Sequence, residues 1–503
     1  MKKPVRFNTS MGNCYLYSAY RNQFLLLHPL LQYYFDLESS GVNLKSYISA
    51  LDPPKTISID RIGDFQFEEI QYQWKKYCLL KRNRYFDTPP QTKLTGRLRA
   101  SKVTNNLTSI KQVIFEVTED CNLSCTYCIY SKFYINKKRE KREFNPDQAK
   151  QTLAYLMKRR EPDQKELIVS FYGGEPLKNI QLIREIVSFL NTNYRPEFTF
   201  KFTMTTNGLL LAKYADFLVE HSFDISISLD GDRTGNSFRV LKNHRPSYDI
   251  VIKNTDFVKS RYPEYFDKHI SFITVIHNKN SYQDVHDFFQ KKYGKTPTVS
   301  TINTTTVNEN FLDEFNKTFI ERPSRQTENG NIYQSIFLHH PTVTDLADTI
   351  EKYSGFVFKN PYRVLTPTTR HVGSKEFIPT ATCMPFSMRV FLTADGSILP
   401  CEHISRIFEI GTLENNEIRI DPDAVARDYN DYFDKIRPLC DRCYLADNCK
   451  ECIFNTRIET ETPACDYFLD ASRFGRYLSH HLSILEKDYP LYQRILKEAY
   501  HEK

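Results

Sequence analysis

Cys121, Cys125 and Cys128 stand in the pattern C-x3-C-x2-C within the stretch VIFEVTEDCNLSCTYCIYSKF, residues 113–133. Three thiolates on one short loop can close around one metal centre. Structural zinc takes four ligands and usually draws them from two separated pairs, so this spacing suits zinc poorly. A cubane iron–sulfur cluster held by three thiolates leaves one iron with a position open to a group that is not protein. Seven more of the 12 cysteines fall between Cys383 and Cys465. They read C-x12-G-x4-C (Cys383, Gly396, Cys401), then C-x2-C-x5-C-x2-C (Cys440, Cys443, Cys449, Cys452), then Cys465. Seven thiolates cannot be one zinc site, and two four-ligand centres need eight. Cys14 and Cys78 lie alone, and no cysteine lies between Cys128 and Cys383. The clustering marks two separate metal-binding regions; two zinc ribbons would fit the C-x2-C pairs but leave the remaining spacing unexplained.

The elements that must position these residues follow from periodicity. Val113–Val117 reads as a buried strand that runs straight into the cysteine loop. Further apolar runs at 166–172, 198–205, 224–229, 270–276 and 298–303 are separated by amphipathic segments. One of these carries Asn145 as cap and Pro146 at its first position, and another opens at Ser281. Such alternation predicts an α/β fold whose parallel sheet closes into a full or partial barrel, with its chemistry at the C-terminal strand ends. There the second run ends in FYGGEP (Gly173, Gly174, Glu175, Pro176), the third in TTNG (Thr205–Gly208) and the fourth in SISLDG (Ser226–Gly231). The glycine pair lets backbone approach a ligand and leaves amides free to point at it. Hydroxyls and an acid at strand ends suit a ribose and a carboxylate. Arg239, in NSFRV, has the two-pronged geometry that carboxylates match. His277, at the end of the fifth run, reads as a bystander.

Around this core, residues 1–86 form a small α+β unit. A hairpin of Cys14–Ala19 and Phe24–His28 turns at Tyr20-Arg21-Asn22, and Pro29 opens a helix closed by Gly41. A short helix is expected from Asn43, a strand at Ile57–Ile59 and a helix over Phe67–Tyr85. Residues 87–110, with Pro89, Pro90 and Gly96, read as a linker. Residues 306–380 carry no chemical motif; helices are expected at Phe311–Phe319 and Thr344–Tyr353, and a polar loop at Glu321–Asn331. Residues 381–466 are the cysteine-rich domain, and 467–503 are packing helices. The 503 residues are 40% hydrophobic and 26% charged, and 68 Lys+Arg against 61 Asp+Glu leave a net charge of +7. That mild surplus does not indicate nucleic acid. No run approaches the roughly 20 apolar residues that cross a bilayer, and FLLLHPLL is too short for a secretory signal. A cytoplasmic location follows, where thiols stay reduced and clustered cysteines point to metal.

The cysteine loop, with aromatic Tyr127 before its third cysteine, resembles that of the radical S-adenosylmethionine (SAM) enzymes. The resemblance implies a partial (β/α)6 TIM-like barrel over residues 111–305. It also implies that SAM chelates the open iron through its amino and carboxylate groups. Gly173, Gly174, Glu175 and Pro176 would contact the methionyl amino group, with Glu175 complementing its charge. Thr206 and Asn207 would lie at the methionyl end, Ser228 near the ribose and Arg239 on the carboxylate. The C-terminal cysteines resemble the SPASM auxiliary-cluster domain, with one departure: the last pair is separated by two residues where that family usually has three. Cys440, Cys443, Cys449 and Cys465 would hold an outer cluster, and Cys383, Cys401 and Cys452 an inner one. The cofactors implied are three 4Fe–4S clusters and SAM. The hairpin-plus-helices outline of 1–86 resembles the winged-helix domain that peptide-modifying enzymes use to hold a leader. The whole resembles a radical SAM peptide maturase, which implies reductive SAM cleavage and a radical modification of a ribosomally made precursor peptide. Crosslinking, thioether formation or a related oxidation would follow. The partners implied are that leader-bearing precursor and an electron donor of flavodoxin or ferredoxin type, with no nucleic acid and no membrane. An anaerobic sulfatase-maturating enzyme shares the core and auxiliary domain but does not need the N-terminal extension. An iron–sulfur electron carrier or zinc-stapled binding protein gives no reason for GGEP, TTNG and SLDG to fall on successive strand ends.

Overall fold

The computed structural model describes residues 2–50, 56–59, 62–89, 94–134, 140–161, 163–304, 307–320, 341–354, 371–373, 376–414 and 417–500. The expected polar loop at 321–331 lies outside the described residues.

The chain opens with an antiparallel sheet of β1 (Val5–Asn8), β2 (Cys14–Ser18) and β3 (Gln23–Leu26), in that order. The β2–β3 turn falls where expected, with Asn22 at φ +54°. Sequence reading missed β1, a four-residue strand too short to show a period, although Val5 and Phe7 are buried and Arg6 and Asn8 exposed. Next come α1 (Pro29–Ser39) and α2 (Leu44–Ser49), the latter capped by Asn43, which accepts a hydrogen bond from the Ser46 amide at 3.1 Å. The hairpin β4 (Thr56–Ile59)–β5 (Gly63–Gln66) and α3 (Phe67–Arg82) complete this region. The span read as a linker contains α4 (Ala100–Thr108), which buries Val103, Asn106 and Leu107.

The strand–helix alternation is present in full. It runs β6 (Gln112–Thr118), α5 (Pro146–Arg159), β7 (Glu166–Gly173), α6 (Ile180–Tyr194), β8 (Thr199–Thr206), α7 (Ala215–Glu220) and β9 (Asp224–Ser228). It continues with α8 (Tyr248–Arg261), α9 (Pro263–His269), β10 (Ile270–Ile276), α10 (Tyr282–Tyr293) and β11 (Thr298–Thr301). The six strands are parallel and adjacent in chain order. Covered on both faces, they read as nearly continuous apolar runs; β6 buries all but its first residue. Asn145 caps α5 by accepting from the Asp147 and Gln148 amides, and Ser281 caps α10, which ends on left-handed Gly294.

After α11 (Leu312–Phe315), α12 (Pro341–Tyr353) and the short pair β12 (His371–Gly373)–β13 (Glu376–Phe377), the chain returns to the main sheet. β14 (Arg389–Leu392) adds to the free edge of β6 in parallel, and β15 (Ser397–Leu399), β16 (Gly411–Glu414) and β17 (Glu417–Arg419) continue as an antiparallel meander. The sheet therefore has ten strands. The helices α13 (Pro422–Cys440), α14 (Ala471–Lys487) and α15 (Tyr489–Tyr500) end the chain.

Two compact units result. One comprises Met1–Arg97, Phe337–Ala381 and Tyr432–Lys503; the other comprises Leu98–Ile336 and Thr382–Asp431. In the first, β1 lies on α14, and Val5, Phe7, Tyr17, Tyr353, Phe474, Leu478 and Leu482 share one core. The region 1–86, expected as a separate domain, has a core of its own around Leu30, Tyr34, Ile70 and Tyr77 and shares one compact unit with the C-terminal helices. The stretch 381–466, expected as one auxiliary domain, is divided after Asp431, because strands β14–β17 extend the main sheet. Which distant face covers a short amphipathic strand is decided by packing and leaves no local period. Among the described residues no helix is long and apolar enough to cross a membrane.

Candidate functional site

Strand β6 delivers the chain to the cysteine loop, and the loop is pinned from behind. Leu123 bridges to Leu241, the Ser124 amide donates to the Val240 carbonyl at 2.8 Å, and the Thr126 amide donates to the Phe238 carbonyl at 3.0 Å. Cys121, Cys125 and Cys128 line one cavity of about 860 Å³. The same cavity is lined by Tyr127, Gly173, Gly174, Glu175, Thr206, Asn207, Ser228 and Arg239. Of the nominated residues of this region only Pro176 stands back, buried at the start of a 3₁₀ turn. Among the described residues no three His, Cys, Asp or Glu side chains surround one point closely enough for a single ion. The three thiols line a common space, and a cubane cluster is held by thiolates spread around it.

Their chemistry fits such a group. Burial pushes the Cys125 thiol up to about 12, and the neighbouring Cys128 and Cys121 add to the rise. Three thiolates in this place repel one another unless cationic iron sits among them. The Cys121 sulfur already accepts from the Leu123 amide at 3.4 Å and from Asn207 Nδ2 at 3.6 Å.

The glycine pair works differently from the sequence expectation. A Cβ on Gly173 would meet the Thr118 carbonyl oxygen at 2.3 Å, and one on Gly174 would meet the Asp120 oxygen at 2.2 Å. The Gly174 amide donates to Thr118 O at 2.7 Å and the Glu175 amide to Asp120 O at 2.9 Å. These amides are engaged within the protein, where they clamp the base of the cysteine loop. Glu175 is buried and accepts from Thr206 Oγ1 at 2.7 Å, the Asn207 amide at 2.8 Å and the Leu177 amide at 3.1 Å. Burial raises its pKa against these three donors. Glu175 thereby holds TTNG in place, and Asn207 passes the constraint to Asn122 at 2.7 Å.

Arg239 is likewise engaged. Its Nε and Nη2 reach Asp230 at 2.9 and 3.1 Å, Tyr127 donates a hydrogen bond to the same carboxylate, and the Val275 amide donates to it at 3.0 Å. The guanidinium also lies 5.5 Å from the Tyr127 ring centre. Burial opposes the charge of Arg239, and Asp230 more than offsets it. The two-pronged grip assigned to a ligand carboxylate is made on Asp230, while Arg239 still lines the cavity. Asp230, quoted within SISLDG but not nominated, is the hub; an acid at a strand end shortly before an arginine was the available signal.

A second group escaped sequence reading altogether. Arg406 Nη2 lies 3.0 Å from Glu116 and 2.9 Å from Glu119, both buried, while Nη1 pairs with Asp395. Arg142 also holds Glu119, at 3.0 Å. This network ties β6 and the start of the cysteine loop to the segment after β15, so that Glu402, Ile404, Ser405 and Arg406 form part of the cavity wall.

In the other unit, Cys440, Cys443, Cys449 and Cys465 line one cavity of about 500 Å³. These are the four cysteines that the resemblance grouped together. Cys383 and Cys401 belong to the unit that holds the ten-stranded sheet and Cys452 to the other.

Residues 115–291 match the model of the Radical SAM superfamily. An uncharacterized protein of Methanocaldococcus jannaschii is 32% identical over 172 residues, 34% of this chain and 54% of its own length. A cysteine-type anaerobic sulfatase-maturating enzyme of Clostridium novyi is 26% identical over 190 residues, 37% of this chain and 49% of that one. The radical SAM cyclopropyl synthase TigE of Paramaledivibacter caminithermalis is 27% identical over 165 residues, 30% of this chain and 34% of its own. The chain thus spans about half or less of the curated relatives it matches. The solved structure of native anSMEcpe with bound AdoMet superposes with a TM-score of 0.50 at 17% identity, over 77% of this chain and 99% of that one. This last likeness shows the fold alone.

Proposed function

The chain carries a radical SAM domain, and from that premise we propose that it is a radical SAM enzyme that modifies a ribosomally made precursor peptide. One observation carries the proposal: Cys121, Cys125 and Cys128 line the same cavity as Glu175, Thr206, Asn207, Ser228 and Arg239. Cys121, Cys125 and Cys128 would hold a 4Fe–4S cluster, which would supply one-electron reduction of bound SAM and, through it, radical hydrogen-atom abstraction from substrate.

The chain's own residues do the positioning. Gly173 and Gly174 fix the height of the cysteine loop above β7, and Glu175 orients Thr206 and Asn207 toward the methionyl end. Asp230 orders Tyr127 and Arg239 at the carboxylate end. Tyr130, Tyr172 and Phe391 line the cavity beside the charged groups Glu116, Glu402 and Arg406. Four cysteines around the second cavity support an auxiliary cluster, with SPASM-type chemistry on the seven C-terminal cysteines. The likeness of 1–86 to leader-holding domains supports a peptide substrate, and an external electron donor of flavodoxin or ferredoxin type completes the reading.

The protein, purified and reconstituted without oxygen, is expected to make 5′-deoxyadenosine from SAM. Changing Cys121, Cys125 and Cys128 to Ala should abolish it; undiminished product from that variant would refute the radical chemistry. Co-expression with short reading frames adjacent to the gene, followed by mass spectrometry, tests the substrate class. Formylglycine on a sulfatase-derived peptide, with no change in any adjacent peptide, would favour the sulfatase-maturing alternative.

A further inference from the structure

The stretch 306–380, which carries no chemical motif, supplies helix α12, and one face of that helix lines the four-cysteine cavity. Asp345, Asp348 and Lys352 stand with Cys440, Cys443, Cys449 and Cys465 around it. Lys352 Nζ lies 3.0 Å from Asp348 Oδ2, and Lys450, which follows Cys449, pairs with the same carboxylate oxygen. Asp348 is thus a bracket between two ammonium groups that both line the cavity. The side chains of Asp348 and Lys352 are 16% and 21% exposed, so their charges are only weakly screened by solvent. From the same helix Thr349 is hydrogen-bonded to His481 Nδ1 at 3.0 Å and to the Tyr477 hydroxyl at 3.1 Å, both on α14. These contacts fix the rotation of α12 and with it the placement of the charges.

We propose that Lys352 and Lys450, held by Asp348, are built-in charges that set the reduction potential of an auxiliary cluster on Cys440, Cys443, Cys449 and Cys465. The inference rests on the auxiliary-cluster reading above. A cluster with four thiolates is anionic, and gaining an electron makes it more so. A fixed cation nearby therefore favours the reduced form and a fixed anion the oxidised form. Such a cluster, placed to take up an electron, gains from cations on its wall. The wall also carries the acids Asp345 and Glu451, which oppose the lysines.

The test uses the full-length reconstituted chain in the Cys121/Cys125/Cys128→Ala background, with midpoint potentials read by EPR-monitored titration and iron measured in parallel. Lys352→Met should lower the reduction equilibrium constant at least tenfold, which is 59 mV for one electron. Asp348→Asn should shift it the other way. Lys450→Met, at a more exposed position, should give a smaller shift in the direction of Lys352→Met. A purely structural role moves both members of the ion pair in one sense, so shifts of like sign, or none, would overturn the inference. Loss of the cluster from both variants would also overturn it. If the background protein takes up no iron on these four cysteines, the auxiliary-cluster reading itself falls. A bound cluster with unmoved potential removes only the present inference.

Discussion

Asp230 and Arg239 meet nine residues apart in the chain as a buried two-pronged ion pair, 2.9 and 3.1 Å, with Tyr127 of the cysteine loop hydrogen-bonded to the same carboxylate. One acid thereby couples the end of β9, the loop that carries the three thiols and an arginine of the cavity wall. Removing one partner of such a pair leaves an uncompensated buried charge, which typically costs about 3–5 kcal/mol. Asp230→Ala is expected to lose stability of that order and to loosen Tyr127. Thermal unfolding and equilibrium binding of SAM to the reconstituted protein check this, with weaker SAM binding expected. Unchanged stability would show that the pair is dispensable.

Gly174→Ala tests the clamp between β7 and the cysteine loop. The new methyl would stand 2.2 Å from the Asp120 carbonyl oxygen and 2.5 Å from that of Glu119, and backbone cannot swing aside as a side chain does. The loop must move, so the variant is expected to fold yet bind less iron, short by one cluster's share, and to lose SAM cleavage. Iron and sulfide content after reconstitution give the readout.

Arg406→Met strips a counter-charge from Glu116 and Glu119. Glu119 keeps Arg142, at 3.0 Å, whereas Glu116 loses its cationic partner. Burial already raises the pKa of Glu116. Glu116 keeps hydrogen bonds from the Ala394 amide and the Tyr130 hydroxyl, so the single variant is expected to lose about 1.5–3 kcal/mol, the scale of one hydrogen bond to a charged group. Adding Glu116→Gln should restore part of it, since the uncompensated charge is then gone. A thermal-melt double-mutant cycle measures the coupling.

Acid should destabilise the unit that holds the ten-stranded sheet through His277. Burial holds this imidazole at about 4, from an ordinary value of 6.5. The folded state therefore binds fewer protons than the unfolded state between those limits. The stability it contributes is present in full above pH 6.5 and is lost as pH falls toward 4, by about 3 kcal/mol in total. His277→Phe keeps a ring between Phe238 and Tyr127 but cannot titrate. Its unfolding midpoint should fall less steeply over that range than that of the parent, and an identical pH profile would rule His277 out as the titrating group.

Much of this molecule was legible in its sequence because the information is local. Three thiols at C-x3-C-x2-C, an Asn145-Pro146 helix start and six apolar runs separated by amphipathic segments each announce themselves within a few residues. GGEP, TTNG and SLDG are legible as strand ends, and Gly173, Gly174, Glu175, Thr206, Asn207 and Ser228 from them line one cavity. What tertiary structure alone decided is which groups the motif residues face. Gly173 and Gly174 serve the cysteine loop, Glu175 serves TTNG and Arg239 holds Asp230. The Arg406 network, the addition of β14–β17 to the main sheet and the shared core of β1 with α14 join segments hundreds of residues apart. No period or spacing encodes such contacts. They exist because buried charges must find partners and short amphipathic strands must be covered, and the chain meets both needs with whatever its fold brings near.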